Sequence, residues 1–122
     1  MSEVKTILVI EDETDLIAVL KELLEFQGYE VLTAIDGQVG LDTYLNNKDK
    51  ISLVITDLNL PSLDGDKILR CISEANENQR CILVSGYVGN EEMVTEYGDK
   101  VAFLQKPYKF QTMIELVKSM AE

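Results

Sequence analysis

The residues able to do chemistry fall in four places: the acidic run Glu11-Asp12-Glu13, the lone Asp57, the hydroxyl of Ser85 and the ammonium of Lys106. Carboxylates brought together resist joint ionisation, because like charges a few Å apart raise each other's pKa. A hard divalent cation resolves that conflict. With oxygen donors only and no His or Cys beside them, Mg²⁺ is the expected ion and Mn²⁺ the alternative, with Asp12 and Asp57 as direct ligands and Glu11 acting through water. A carboxylate at a metal site is also a nucleophile, as in aspartyl-phosphate chemistry. A phosphoryl group arriving at Asp57 would bring its oxygens toward the cation, the Ser85 hydroxyl and Lys106, which neutralise charge as it develops.

Each of these residues alone has an ordinary structural explanation. An acidic pair after a strand suits a helix N-terminus, a lone Asp is a common cap or turn residue, and Ser85-Gly86 reads as a turn. Lys106 alone is a solvated charge. What raises them together is that each follows its own apolar run, so the elements that carry them decide the matter.

Five apolar, β-branched runs read as strands: 6–10, 30–34, 53–56, 81–84 and 101–104. The first, third and fourth lack polar alternation, as expected of strands covered on both faces of a parallel sheet. Helical periodicity fills the gaps. Leu16, Leu20, Leu23, Leu24 and Gln27 predict a helix over 14–27, closed by a left-handed Gly28. Val39, Leu41, Tyr44 and Leu45 predict one over 38–46; Ile68, Leu69 and Ile72 one over 66–76; and Met113, Ile114, Val117 and Met120 one over 110–120. The polar stretch 90–97, bracketed by Gly89 and Gly98, predicts a short, weakly held helix. Strand and helix thus alternate through the chain, which dictates right-handed crossovers and a doubly wound α/β fold with helices on both faces. Ligands of such folds sit beyond the C-terminal ends of the strands, where Glu11, Asp12, Asp57, Ser85 and Lys106 fall.

Composition narrows the function. A length of 122 residues predicts one domain, and 46 % apolar content fills its core without a disulfide or structural metal. Eleven basic against twenty-two acidic residues, a net charge of −11, repel nucleic acid and anionic membranes. The absence of His removes His-based triads, His–metal sites and phosphohistidine on this chain. Cys71 and Cys81 lack metal or redox spacing and read as small apolar side chains in a reducing cytoplasm. The N-terminus does not read as a signal peptide, and no segment approaches the ~18 apolar residues of a membrane span. Cytoplasmic localisation is the expectation.

The stretches ILVIEDE, LVITDLNLPSLDG, ILVSG and FLQKP, in this order, resemble the receiver domain of two-component response regulators, and the resemblance covers essentially the whole chain. It implies the flavodoxin-like strand order 2-1-3-4-5, with Asp57 accepting a phosphoryl group from a sensor histidine kinase or phosphotransfer protein. It implies Mg²⁺ held by Asp12, Asp57 and the backbone carbonyl of Asn59, with Glu11 in the outer shell. Ser85 and Lys106 would contact the phosphoryl oxygens, and the Lys106–Pro107 bond would be cis, which proline makes inexpensive. The resemblance further implies a switch in which Ser85 moves toward the phosphoryl group and Phe103 turns inward. Phe lacks the hydroxyl that a Tyr would leave in solvent, so packing alone would govern that turn. Helix four, strand five and helix five would present the changed face to a downstream protein partner, and Asn59 and Tyr87 would flank attacking water and set the phosphoryl lifetime.

The chain is read as a receiver over 1–122 with no output domain: a phosphoacceptor that assists its own chemistry and is not an enzyme in its own right. A start at Met1 close to strand one and an end at Ala121-Glu122 without a linker fit a stand-alone receiver slightly better, while the Ser85-Gly86-Tyr87 triplet would also suit one excised from a longer regulator or hybrid kinase. Two other readings differ in kind. One is a degenerate receiver working as a phosphorylation-independent binding module. The other is a small aspartyl-nucleophile phosphohydrolase, against which stand the missing leading Asp in Glu11-Asp12-Glu13-Thr14 and the lack of a substrate-binding cap.

Overall fold

The computed structural model describes residues 3–86 and 90–121. Five strands, β1 (Thr6–Ile10), β2 (Glu30–Ala34), β3 (Ile51–Asp57), β4 (Arg80–Ser85) and β5 (Val101–Gln105), form one parallel sheet in the order β2-β1-β3-β4-β5. The predicted strand order therefore stands. β1 and β2 have the predicted bounds, whereas β3, β4 and β5 extend past the apolar runs into polar residues, because a ladder continues wherever its neighbour offers partners. The helices are α1 (Thr14–Phe26), α2 (Gly37–Asn47), α3 (Gly65–Ala75) and α4 (Phe110–Ala121), with a 3₁₀ helix over Asn90–Lys100 between β4 and β5. Among the described residues, no helix is long and apolar enough to cross a membrane.

The sheet is covered on both sides. On one face Ile7, Val9, Leu53, Ile55, Ile82 and Val84 meet α1 and α4 through Ile17, Leu20, Leu24, Met113 and Val117. On the other, Leu8, Ile10, Val54, Cys81 and Leu83 meet α2, α3 and the 3₁₀ helix through Tyr44, Ile68, Leu69, Ile72 and Val94. Leu8, Val9, Val54 and Ile82 are completely buried; burying a side chain of this size stabilises by about 1.5–3 kcal/mol. This explains the absence of alternation in β1, β3 and β4, since both sides of each strand face apolar layers.

Three local expectations need correction. In α2 only Tyr44 of the four predicted inward residues is buried, Leu41 is half-buried, and Val39 and Leu45 lie 47 % and 48 % exposed. The helix instead turns Gly40 to the sheet, where a Cβ would lie 2.6 Å from the Ile10 Cδ1 atom, and Gly37 to the backbone of Leu63 in the loop after β3. Close backbone approach, not apolar periodicity, sets that face. The fourth helical segment is 3₁₀ and breaks at the non-helical Gly98 (φ 65°, ψ −141°), where the expectation ended it, but a second short piece continues past that kink to Lys100. Met93, Val94 and Tyr97 tie it to the core. Cys81 is buried as expected, but Cys71 is only half-buried. Gly28 has the predicted left-handed backbone, φ 100°, just past α1.

Candidate functional site

The sheet register brings the strand ends level. Ile10 lies beside Thr56, Asp57 beside Val84, and Ser85 beside Gln105, so the residues that follow β1 and β5 enter one crevice with the ends of β3 and β4. The Leu58 backbone N–H donates to the Val84 carbonyl at 2.8 Å and that of Lys106 to the Ser85 carbonyl at 2.7 Å, continuing the ladder past the strands.

Within the crevice, carboxylate oxygens of Glu11, Asp12 and Asp57 all lie within 4.8 Å of one another. Glu11 and Asp57 are buried, and Asp12 is exposed. Lys106 Nζ donates to Asp57 Oδ2 at 2.7 Å and to Glu11 Oε1 at 2.9 Å, with Glu13 Oε1 farther out at 3.4 Å. Two backbone amides complete the set: Glu13 N–H donates to Glu11 Oε2 at 3.0 Å and Asn59 N–H to Asp57 Oδ1 at 3.1 Å. Burial lifts the Glu11 carboxyl above its ordinary value against the opposing effect of the Glu13 amide and Lys106, and the Asp57 charge pushes it the same way. For Lys106 burial opposes the charge, but hydrogen bonds and attraction from Asp57 and Glu11 outweigh it and hold the ammonium above its ordinary value. Lys106 is therefore a fixed cation.

An all-oxygen donor set that faces an open side through the exposed Asp12 fits Mg²⁺, which keeps waters and takes few protein ligands. Its double charge would also relieve the crowding of three carboxylates that one ammonium only partly balances.

Every predicted site residue within the described part falls at this end of the sheet or beside it. Ser85 is fully buried at the end of β4. The Lys106–Pro107 peptide bond is cis, as expected. Asn59 is exposed on the loop after β3, and Phe103, half-buried in β5 beside Leu83, packs on the same side as Met93 and Tyr97. Tyr87 lies outside the described residues. Sequence reasoning left Glu13 without a part, although it faces Lys106. It also missed a groove of about 400 Å³ at the mouth of the site, lined by Glu13, Leu16, Lys106, Pro107, Tyr108 and Phe110. The edge-on Tyr108–Phe110 pair, 6.1 Å between ring centres, stiffens its wall; the FLQKP stretch, with two aromatics just after it, was the available signal.

The loop over 58–64 is anchored at both ends. Gly65 N–H donates to the Leu58 carbonyl at 2.8 Å, and a Cβ at Gly65 would lie 2.3 Å from the Asp57 carbonyl oxygen, so only glycine lets α3 start this close to β3. Leu58 and Leu60 are buried beneath the loop.

A family model described as the response regulator receiver domain matches residues 7–118. The chemotaxis protein CheY of Treponema pallidum is 30 % identical over 118 residues, covering 93 % of this chain and 81 % of that protein. The sporulation initiation phosphotransferase F of Bacillus subtilis is 29 % identical over 114 residues, covering 92 % and 90 %. Among solved structures, a response regulator receiver domain protein from Clostridium thermocellum superposes with a TM-score of 0.88 at 32 % identity, covering 97 % of this chain and 94 % of that one. Receiver domains bind Mg²⁺ at an acidic pocket, and this chain has an acidic cluster of Glu11, Asp12 and Asp57. Sequence, topology and site agree over the same residues, and the chain belongs to the response regulator receiver domains, the signalling modules of two-component systems.

Proposed function

We propose that Asp57 is the phosphoacceptor of a two-component phosphorelay. The observation that carries this reading is the meeting, at and just beyond the C-terminal ends of β1, β3 and β5, of Asp57 with one fixed cation, Lys106, and two further carboxylates, Glu11 and Asp12. An Asp57 oxygen attacks the phosphorus of a phosphohistidine on a sensor kinase or phosphotransfer protein. The P–N bond breaks, the imidazole leaves with its electron pair, and an acyl phosphate forms on Asp57. Lys106 and the Ser85 hydroxyl take the charge that develops on the phosphoryl oxygens. Asp12, Asp57 and the backbone carbonyl of Asn59 would hold Mg²⁺, with Glu11 in its outer shell; when bound, the ion supplies charge neutralisation at the same oxygens.

In the return reaction, water attacks the phosphorus, Asp57 leaves as a carboxylate, and inorganic phosphate is released. Asn59 and Tyr87 set the lifetime. While phosphorylated, the domain shifts the population of the face made by the 3₁₀ helix, β5 and α4, with Ser85 and Phe103 as the switch, and that face docks a protein partner in the cytoplasm. The half-buried Phe103, which packs against the same apolar cluster as Met93 and Tyr97 of the 3₁₀ helix, supports this part, because its turn would disturb the layer that the helix rests on. The domain signals and assists its own phosphorylation and dephosphorylation; it turns over no external substrate.

The test is intact-protein mass after incubation with Mg²⁺ and a small acyl phosphate, beside Asp57→Asn. A metal-dependent gain of one phosphoryl group that the variant lacks is the expected result. No gain in the parent chain, with Mg²⁺ binding confirmed, would favour the phosphorylation-independent binding module. Sustained release of phosphate from a generic phosphomonoester would favour the hydrolase.

A further inference from the structure

The loop that follows Asp57 is held from outside by the start of α2. Ser62 has φ 67°, a left-handed backbone that a residue with a Cβ seldom adopts, and the Leu63 N–H closes a γ-turn around it by donating to the Pro61 carbonyl at 2.8 Å. Strain of this kind persists only where neighbouring contacts over-determine it. Here the contacts come from α2. The Ser62 hydroxyl donates to Asp36 Oδ1 at 3.1 Å and accepts the Gln38 N–H at 3.1 Å, while the Gly37 N–H donates to the Pro61 carbonyl at 3.0 Å. Asp36 Oδ1 also caps α2 by accepting the Val39 N–H at 2.8 Å. A Cβ at Gly37 would fall 1.8 Å from the Leu63 carbonyl oxygen, so the helix and the loop are in backbone contact.

These contacts bear on the site because the same loop carries Asn59. Its N–H orients Asp57 Oδ1 at 3.1 Å, and its carbonyl is the proposed third protein ligand of the cation. Its other end is fixed where Gly65 N–H meets the Leu58 carbonyl. Among the described residues, α2 reaches the loop between those points through Ser62, which meets Asp36 and Gln38, and through the Gly37 amide on Pro61. We infer that Ser62 and Asp36 are positioning residues for the phosphorylation site: the latch holds the 58–64 loop so that Asn59 stays beside Asp57, and so sets Mg²⁺ affinity and the lifetime of the acyl phosphate. The inference rests on the function proposed above.

The experiment measures the Mg²⁺ dissociation constant by calorimetry and acyl-phosphate decay by intact mass, for the parent chain, Ser62→Ala, Ser62→Gly, Asp36→Ala and Asp36→Asn. All are studied well below their thermal midpoints. Ser62→Ala keeps the strained backbone and Ser62→Gly relieves it, but both lose the hydroxyl. A positioning role predicts that the two weaken Mg²⁺ binding alike, by about tenfold, although their stabilities differ. Asp36→Ala should share the loss, while Asp36→Asn, which keeps an acceptor oxygen, should restore most of it. Ordinary Mg²⁺ affinity and phosphoryl decay in Ser62→Gly would overturn the latch, and so would affinity that merely follows stability. A parent chain that neither binds Mg²⁺ nor gains a phosphoryl group overturns the functional reading, and the latch with it.

Discussion

Lys106 Nζ and Asp57 Oδ2 stand 2.7 Å apart although 49 residues separate them in the chain. The Asp57 side chain is almost fully buried and that of Lys106 is 19 % exposed, so the pair is poorly screened. Lys106 also binds Glu11, which makes it the shared partner of two buried carboxylates. Any group that arrives on Asp57 must therefore redraw this arrangement.

Lys106→Met leaves Glu11 and Asp57 buried without their cation. Breaking a fully buried pair from one side costs about 3–5 kcal/mol, and the partial exposure of Lys106 reduces this to about 2 kcal/mol. Urea unfolding in EDTA should record that loss. Added Mg²⁺ should recover more stability in the variant than in the parent chain, because the ion then supplies the missing positive charge; equal gains would count against a shared acidic site.

Gly65→Ala puts a Cβ into backbone, 2.3 Å from the Asp57 carbonyl oxygen and 2.8 Å from the Leu58 Cα atom. Neither neighbour is a flexible side-chain end. The expected cost is about 1–3 kcal/mol, together with slower uptake of phosphoryl groups as the end of β3 shifts. Gly86→Ala is the control, since among the described residues nothing lies within 4 Å of a Cβ there and its backbone is not left-handed. Its denaturation midpoint should match that of the parent chain.

Alkaline titration should unfold the chain in a definite direction. Burial raises the Cys81 thiol from 9.0 to about 12 and the Tyr108 phenol from 10.0 to about 12, and it also raises the phenols of Tyr44 and Tyr97. Each folded-state value exceeds its unfolded one, so the unfolded chain releases these protons first. The stability they contribute is complete below pH ~8.5 and is lost as pH climbs toward 12. Cys81→Ala with Tyr108→Phe should flatten that fall in urea midpoints measured from pH 8 to 11; an unchanged slope would show that other groups govern it.

Substitutions at Asn59 and Tyr87 should change the decay rate of phosphorylated protein while leaving Mg²⁺ affinity largely intact, because Asn59 would offer the cation only its backbone carbonyl. Decay followed by intact mass in Asn59→Ala and Tyr87→Ala checks this. An unchanged rate in both would remove them as determinants of lifetime.

Much of this molecule could be read from residue order. The apolar runs ending at Ile10, Thr56, Val84 and Leu104 predicted strands, and the alternation with helices predicted a parallel sheet. Asp12, Asp57, Ser85 and Lys106 then had to lie at one end of it, because parallel strands deliver their C-terminal ends to the same edge. Those signals are local, set by side-chain period and by which residue follows each run.

Other features arise only when distant segments meet. Residues 11 and 106 are 95 positions apart, and nothing near either one announces a 2.9 Å ion pair. The exposed Val39 and Leu45 contradict their apolar character because Gly37 and Gly40 allow α2 to approach the loop and β1 more closely than a side chain would permit. The left-handed Ser62 is likewise invisible in a Pro-Ser-Leu stretch, since its backbone is held by Asp36 and Gln38 from another element. Periodicity and strand-end chemistry are written along the chain and determined the architecture and which residues stand at the strand ends. Close packing and hydrogen bonds between segments depend on how finished elements fit, and only the tertiary structure decided which face α2 buries, how Lys106 is shared and what holds the loop beside Asp57.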